Sequence, residues 1–210
     1  MTENNDAELP SEPYHTHNLI KKELNFLGDY LQAIENFIIA EGQEEIDTEN
    51  VSNTSELSIA IQIRISFIML LFSCFEKNID RICDAIKKQK KLQINRADLS
   101  GGLIKSAKKY LQVFGHFDHS YIEEWATIEG LYDIRNVFVH GGGYIKKANL
   151  GSKKRLNNLL IMNIGLTEHK DQISIVDKEF CHYALDSMIK LFKELEVWHK
   201  ENFVGFWVVK

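Results

Sequence analysis

Arg135, Asn136 and His140 are three polar residues in a segment, residues 134–143, whose other members are apolar residues and glycines. A polar group that is buried without a partner costs about 1 to 3 kcal/mol, and a buried charge costs more. On a helix, Asn136 and His140 share one face, and the long side chain of Arg135 can reach around from the flank. The three residues therefore form a candidate active site.

The chemistry that suits these residue types is metal-independent cleavage of RNA. Histidine titrates near neutral pH, so His140 can take a proton from a ribose 2′-hydroxyl or give one to a departing 5′-oxygen. Arg135 brings a permanent charge and a planar set of donors that suit phosphate oxygens, and Asn136 adds an uncharged hydrogen bond. No carboxylate cluster or His/Cys metal set accompanies them in the sequence. We therefore expect no cofactor, with the RNA's own 2′-hydroxyl as nucleophile.

The helical spacing of apolar residues predicts that most of the chain is α-helical. Both prolines, Pro10 and Pro13, precede these helices, so the rest of the chain lacks the strongest helix breaker. The longest apolar run, residues 65–75, favours the second helix as the central one. We predict helices over residues 14–41, 56–91, 103–113 and 120–140, and a last helix after Asp177.

The fourth of these helices carries the candidate site. Ser120, followed three residues later by Glu123, predicts its start through a capping box. The glycines at 141–143 end it, because glycine adopts the left-handed conformation that terminates helices. Leu-rich and Ile-rich runs at residues 156–164 and 172–176 then predict a small hairpin. The expected fold is mainly α, a bundle of four to five helices with a small β-hairpin insertion before the last helix.

The two ends of the chain differ from this predicted bundle. Residues 1–13 are predicted to be a flexible acidic tail, and residues 14–210 a single helical domain. The acidic, polar stretch that begins at Gly42 predicts a loop. Residues 203–209 are strongly apolar, so they either pack back on the domain or belong to an interface.

The net charge of −5 hides an uneven distribution along the chain. Residues 1–56 contain thirteen Asp and Glu against two lysines, which leaves +6 for the rest. Three basic clusters in that remainder are either solvated helix faces and a loop or a surface for an anionic partner such as RNA, which the acids at 1–13 and 41–49 could shield. The clusters are Lys87, Lys88, Lys90 and Lys91; Lys105, Lys108 and Lys109; and Lys146, Lys147, Lys153, Lys154 and Arg155.

The sequence gives no indication of a membrane protein. The apolar run at residues 65–75 is shorter than the roughly 20 residues of a membrane-spanning helix. The start of the chain is acidic and polar, whereas a secretory signal is basic and then hydrophobic. We therefore expect a cytoplasmic protein that has no membrane partner.

The cysteines and the paired histidines are weak candidates for chemistry. The cysteines are odd in number and lack paired metal spacing, so we expect reduced structural thiols at Cys74, Cys83 and Cys181. Two pairs of histidines lack cysteine or carboxylate partners at ligand spacing. We expect exposed turn residues rather than metal ligands at His15 and His17 and at His116 and His119.

The motif around Arg135 resembles that of a known superfamily. The HEPN superfamily of mostly prokaryotic helical domains has an arginine, usually followed by a polar residue such as asparagine, and a histidine a few residues later. Arg135, Asn136 and His140 fit this signature, with four residues between the arginine and the histidine. Ser73-Cys74-Phe75-Glu76 resembles the small residue followed by an aromatic residue and glutamate on the preceding helix. The resemblance covers about residues 19–203 and implies a HEPN-like helical bundle.

By this resemblance, Arg135 and His140 are catalytic and Asn136 supports them. Members with the intact motif are typically endoribonucleases, many of them toxins or antiviral effectors, and they usually dimerise so that two motif helices line one cleft. The resemblance thus implies an RNA substrate, a homodimer and a neutralising antitoxin or regulatory protein. Some members are inactive, so the alternative is a non-catalytic RNA- or nucleotide-binding or protein-interaction (sensor) module.

Four further residues are weaker candidates for contact with the substrate. Tyr144 lies four residues past His140, beyond the glycines. Glu76 either approaches the site or makes a surface or capping contact. Lys146 and Lys147 belong to the third basic cluster and could contact phosphate.

Overall fold

The computed structural model describes residues 12–40 and 59–202, and this part of the chain is mainly helical. Six α-helices and one antiparallel pair of strands are present in it, with the hairpin directly before the last helix as predicted. Residues 1–11 of the predicted acidic tail, the acidic loop and the apolar segment 203–209 lie outside the described residues, whereas Glu12 and Pro13 of that tail already belong to the first helix. The elements are α1 (Glu12–Ala40), α2 (Ile59–Lys90), α3 (Gly102–Gly115), α4 (Glu124–Gly141), α5 (Leu150–Ile161), β1 (Leu166–His169), β2 (Gln172–Ile175) and α6 (Lys178–Asn202).

The central helix is α2, as predicted from its apolar run. It packs against α1, α3, α4, α6 and β2. By length and composition alone α2 could cross a membrane. Its apolar content has another cause in this fold, because its inward side chains form the middle of the hydrophobic core. Those that are at most 2% exposed include Phe67, Ile68, Leu71, Phe72 and Phe75.

A buried ion pair joins α1 to α2 and to the end of the hairpin. The guanidinium of Arg64 donates to both carboxylate oxygens of Glu35, from Nε at 3.0 Å and from Nη2 at 2.8 Å. Its Nη1 donates to the carbonyl of Val176, the residue after β2, at 2.7 Å. Because both side chains are at most 5% exposed, water cannot replace either partner.

The hairpin is fixed in place by a glycine at its start. Gly165 has a φ of +87°, and a Cβ at this position would overlap Asp177. Its carbonyl accepts the amide of Val176 at 2.8 Å, which closes the base of the hairpin. Leu166 pairs with Ile175 in the antiparallel register, and both side chains are buried in the core. Only glycine combines this backbone conformation with this close approach.

The predicted position of the first strand is wrong. Most of residues 156–164 lie in the helix α5, and the strand β1 begins only at Leu166. Leu156 and Leu159 are buried three residues apart, which is helical spacing. The adjacent Leu160 and Ile161 make the segment look like the short apolar run of a strand, and such runs do not distinguish the two structures.

The predicted capping box at Ser120 is also wrong. Ser120 lies in a short 3-10 turn, where its own amide donates to the carboxylate of Asp118 at 2.9 Å. The helix α4 begins at Glu124, and its N-cap residue Glu123 makes no side-chain capping bond. This local hydrogen bond from the Ser120 amide to the Asp118 carboxylate competes with the helical one, so the turn replaces the first predicted helical residues.

His17 is not an exposed turn residue, in contrast to the expectation from sequence. It lies on the inner face of α1 and is 5% exposed. Its Nε2 is 2.8 Å from Nδ1 of His199 on α6, so one nitrogen donates and the other accepts, and both rings are neutral. Burial lowers the pKa of both histidines from 6.5 to about 4, and protonation of His17 would lower the pKa of His199 further.

This histidine pair predicts a loss of stability in mild acid. Between pH 6.5 and 4 the unfolded chain binds protons that the folded protein excludes. The free energy of unfolding therefore has its full value above pH 6.5 and falls as the pH drops towards 4. Each histidine contributes a slope of about 1.4 kcal/mol per pH unit. Urea unfolding at several pH values in this range gives the free energy of unfolding as a function of pH. This free energy should fall less steeply with decreasing pH for the His17→Phe/His199→Phe double variant than for the native protein. The exposed His116→Asn variant should keep the native slope, and equal slopes for all three proteins would contradict the prediction.

Candidate active site

The helix α4 ends in a left-handed turn that places His140 in its last turn. Gly142 has a φ of +59°, and its amide donates to the carbonyl of Phe138 at 3.3 Å. The amide of Gly143 donates to the carbonyl of Val137 at 3.1 Å, so this end of the helix is satisfied by the motif that glycine commonly forms. The prediction that glycines end this helix is confirmed.

A cleft of about 430 Å³ lies between α3, α4 and α5, with the segment after α4 at one end. The wall from α4 includes Asn136 and His140. The opposite wall comes from the first half of α5, which precedes the residues predicted as a strand, and contributes Ser152 and Arg155. Lys105 is an exposed residue that lines the cleft from α3.

The structure brings two of the three motif side chains into this cleft. His140 is exposed and Asn136 is half-buried, and both line the cleft. Arg135 is half-buried and lies outside the lining, but its Nη1 donates to Oδ1 of Asn136 at 3.0 Å. None of the three is fully buried, so the cost of burial that the sequence pattern indicated does not arise. Asn136 and His140 instead lie on the side of α4 that faces the cleft, and Arg135 lies on the flank of that side.

The weaker candidates lie in three different environments. Tyr144 lines the cleft and is 47% exposed. Glu76 lies on α2 outside the lining, where its carboxylate accepts from Arg96 at 3.3 Å. Lys146 pairs with Asp171 at 2.9 Å in a separate groove. For Lys147 the structure describes only the backbone, which lies in a 3-10 turn.

A buried carboxylate that the sequence analysis missed forms the floor of the cleft. Asp133 is 8% exposed and uses both of its oxygens. Ser152 Oγ donates to Oδ1 at 2.7 Å, and Arg155 Nε donates to Oδ2 at 2.6 Å. A signal existed in the sequence, because Asp133 lies seven residues before His140, which places both on one face of a helix.

The formal charges in the cleft balance when His140 is neutral. Lys105 and Arg155 are the cations of the lining, and Glu129 and Asp133 are its carboxylates. Glu129 also accepts from Lys108, beside the cleft, at 2.8 Å. A protonated His140 would therefore give the lining a net positive charge. Of the three basic clusters, the second and third each contribute one residue to the cleft.

The cysteines are free thiols with no part in the cleft. Burial and then the nearby Glu23 raise the pKa of Cys74 to about 11, and burial raises the pKa of Cys83 and Cys181 still further. All three are therefore protonated and unreactive at neutral pH. Within residues 12–40 and 59–202, His, Cys, Asp and Glu form no group of three or more that could hold a metal ion.

Comparison with known proteins does not identify the chain. No protein-family model, no curated protein and no solved structure matches it. The function of the cleft must therefore be inferred from its own residues and their geometry.

Proposed function

We propose that the chain is a HEPN-type, metal-independent endoribonuclease that uses the RNA 2′-hydroxyl as nucleophile. The observation that supports the proposal is the cleft itself, where His140 and Asn136 lie on one wall and Arg135 is hydrogen bonded to Asn136. These are a proton-transfer group, a neutral hydrogen-bonding group and a permanent cation, which are the groups that transesterification of RNA requires. An exposed histidine can reach a phosphodiester without rearrangement of the fold.

The proposed reaction forms one bond to phosphorus and breaks another. His140 takes the proton of the 2′-hydroxyl, or gives a proton to the departing 5′-oxygen, as the O2′–P bond forms and the P–O5′ bond breaks. Arg135 and Asn136 stabilise the negative charge that builds on the phosphorus oxygens. The products are a 2′,3′-cyclic phosphate and a 5′-hydroxyl.

A homodimer belongs to this proposal. The reaction needs one group that accepts a proton and one that donates, and His140 is the single histidine among the residues that line the described cleft. Val139 is 46% exposed and lies four residues after Arg135, on the same side of α4. A second copy that packs against this side would bring a second His140 towards the first and exclude water from Arg135.

The biological setting that we propose is cytoplasmic, as a toxin or antiviral defence effector. A ribonuclease of this kind damages its own host when it is unregulated. A neutralising antitoxin or a regulatory protein, or a trigger during infection, would hold it inactive until needed. The acidic residues 1–13 and 41–49 remain candidates for shielding the basic surface.

One observation favours the alternative, a non-catalytic RNA- or nucleotide-binding or sensor module. In the single chain Arg135 lies outside the cleft, and the charges that line the cleft balance. A site of this kind could bind a nucleotide through Tyr144 and Arg155 without turnover. The two functions differ in what they require of the ribose 2′-hydroxyl.

The 2′-hydroxyl requirement predicts which oligonucleotides are cleaved. An oligonucleotide with 2′-deoxyribose at every position but one should be cleaved only after its single ribose, in the presence of EDTA. The fully 2′-deoxy strand and a strand with 2′-O-methyl at that position should remain intact, because neither offers a nucleophile. Mass spectrometry of the products checks this. Cleavage of the fully 2′-deoxy strand would contradict the proposal, and binding of every strand without cleavage would favour the alternative.

A further inference from the structure

We propose that Arg155 binds a phosphodiester next to the scissile phosphodiester on the same RNA strand. This inference rests on the proposed function of the cleft. Arg155 is the last residue of the third basic cluster, and it reaches the cleft from α5. The sequence offered no reason to separate it from the lysines of that cluster. Its contacts in the fold provide the reason.

The guanidinium of Arg155 is held from its inner edge. Nε donates to Oδ2 of Asp133 at 2.6 Å, and Asp133 is in turn held by Ser152. The carboxylate side chain is 10% exposed, whereas the arginine side chain is 37% exposed. The buried acid therefore fixes an arginine whose outer edge opens into the cleft, which lowers the entropy that the arginine loses when a ligand binds.

The outer nitrogens of this guanidinium have no hydrogen bond within the described residues. Nη1 is 3.9 Å from Oε2 of Glu129, too far for a hydrogen bond. Glu129 accepts from Lys108 through its other carboxylate oxygen, Oε1, at 2.8 Å, so its Oε2 forms only a loose ion pair with Arg155. An arginine has five N–H donors, of which Asp133 uses one, so four remain for a ligand. Two parallel donors on a planar fork match two oxygens of one phosphate.

The position of Arg155 along the cleft determines which phosphate it binds. Its partner Asp133 lies seven residues before His140 on α4, which is about 10 Å along the helix axis. The scissile phosphate must lie against His140, so the phosphate at Arg155 is a neighbouring one on the same strand. Arg155 is therefore a binding and positioning residue rather than a catalytic one. It favours substrates with several consecutive phosphodiesters over a dinucleotide.

The ion pair with Asp133 also links α4 to α5, and the test must separate binding from this structural role. Uncleavable thymidine oligodeoxynucleotides of two and four nucleotides are suitable probes, because they carry phosphodiesters but lack the nucleophile. The variants are Arg155→Gln and, as a matched control, Arg81→Gln. Arg81 is also an arginine paired with a carboxylate, at 2.9 Å from Glu23, but it lies on α2 outside the cleft.

Arg155→Gln should weaken binding of the tetranucleotide about tenfold and leave binding of the dinucleotide nearly unchanged. The plot of log affinity against log salt should become shallower by about 0.7 for the tetranucleotide, the value for one phosphate contact on a single strand. Arg81→Gln should behave like the native protein in both measurements. Equal tetranucleotide affinities and salt slopes for the two variants would overturn the inference.

A second measurement on the native protein does not depend on how the variants fold. Phenylglyoxal modifies exposed arginines, and mass spectrometry locates the adducts. The tetranucleotide should protect Arg155 and leave Arg81 reactive, whereas an unprotected Arg155 would overturn the inference. Both measurements concern binding alone. Protection of Arg155 without any cleavage of RNA would reject the ribonuclease and support the phosphate site. Cleavage of RNA without protection of Arg155 would support the ribonuclease and reject the phosphate site.

Discussion

Replacing His140 by asparagine should lower the rate of RNA cleavage by about 10²- to 10⁴-fold, the usual contribution of a general acid or base. Asparagine keeps a polar side chain but cannot transfer a proton near neutral pH. His140 is exposed at the end of α4, and no hydrogen bond within the described residues depends on it, so the variant should fold like the native protein. The loss should therefore appear in kcat while binding of uncleavable strands is retained.

A matched control is His116→Asn, at the opposite end of α3 from the cleft. His116 is exposed, and its φ of +59° is a conformation that asparagine tolerates well. This variant should cleave at the native rate. Kinetics on one RNA substrate, with thermal unfolding of both variants, checks the prediction. A His140→Asn protein that is folded and cleaves as fast as the His116→Asn protein would show that His140 has no part in the chemistry.

Replacing Glu35 by alanine should lower the free energy of unfolding by about 3 to 5 kcal/mol, because it leaves the buried charge of Arg64 without its partner. Arg64 is bound to Glu35 through two nitrogens and to the carbonyl of Val176 through the third. Loss of the carboxylate leaves a buried guanidinium that water cannot reach. The double variant Glu35→Leu/Arg64→Met should recover most of the stability, since neither buried charge remains.

The exposed ion pair between Lys77 and Glu23 provides the comparison. Lys77 is 58% exposed, so Lys77→Ala should cost at most about 1 kcal/mol. Urea unfolding at neutral pH measures all the variants. A Glu35→Ala protein that loses no more stability than the Lys77→Ala protein would contradict the assignment of Glu35 and Arg64 as a buried pair.

The helices that could be predicted are those whose own residues carry the whole signal. α2 contains the longest apolar run, and α4 combines apolar spacing with a run of glycines at its end, so α2 and the body and end of α4 could be placed from sequence. α5 could not, because Leu159, Leu160 and Ile161 are consecutive and hide the helical spacing of its buried residues. At Ser120 the sequence also failed to predict the structure, because the amide of Ser120 donates to the Asp118 carboxylate and forms a turn in place of the helix start.

The candidate site also contains residues that could be predicted from the sequence and residues that could not. Asn136 and His140 share a cleft because they lie on one helical face, which their spacing alone predicts. The pair of Asp133 and Arg155 joins residues 22 positions apart on two helices. The spacing of Asp133 from His140 places it on the same helical face, but nothing local indicates that Arg155 is its partner. His17 and His199, which are 182 positions apart, were similarly unpredictable. The spacing of residues within one helix does not predict the contacts that depend on how two helices pack.

The charge pattern predicted an anionic partner only in general terms. The sequence left open whether the basic clusters are solvated helix faces and a loop or a surface for an anionic partner, and in the fold Glu129 and Asp133 balance the cations of the cleft. These carboxylates hold Lys108 and Arg155 in defined positions. Carboxylates thus lie among the cations of the cleft, and the excess of basic residues in the sequence does not predict where an anion would bind.

The measurement that tests the proposed ribonuclease most directly is incubation of the purified protein with total RNA and with tRNA in EDTA, beside the His140→Asn variant. Cleavage by the native protein that leaves 2′,3′-cyclic phosphate ends and disappears in a folded variant is the predicted result. It would establish metal-independent chemistry that depends on His140. Intact RNA with both proteins, when no inhibitor co-purifies, would contradict the proposal and favour the non-catalytic binding module.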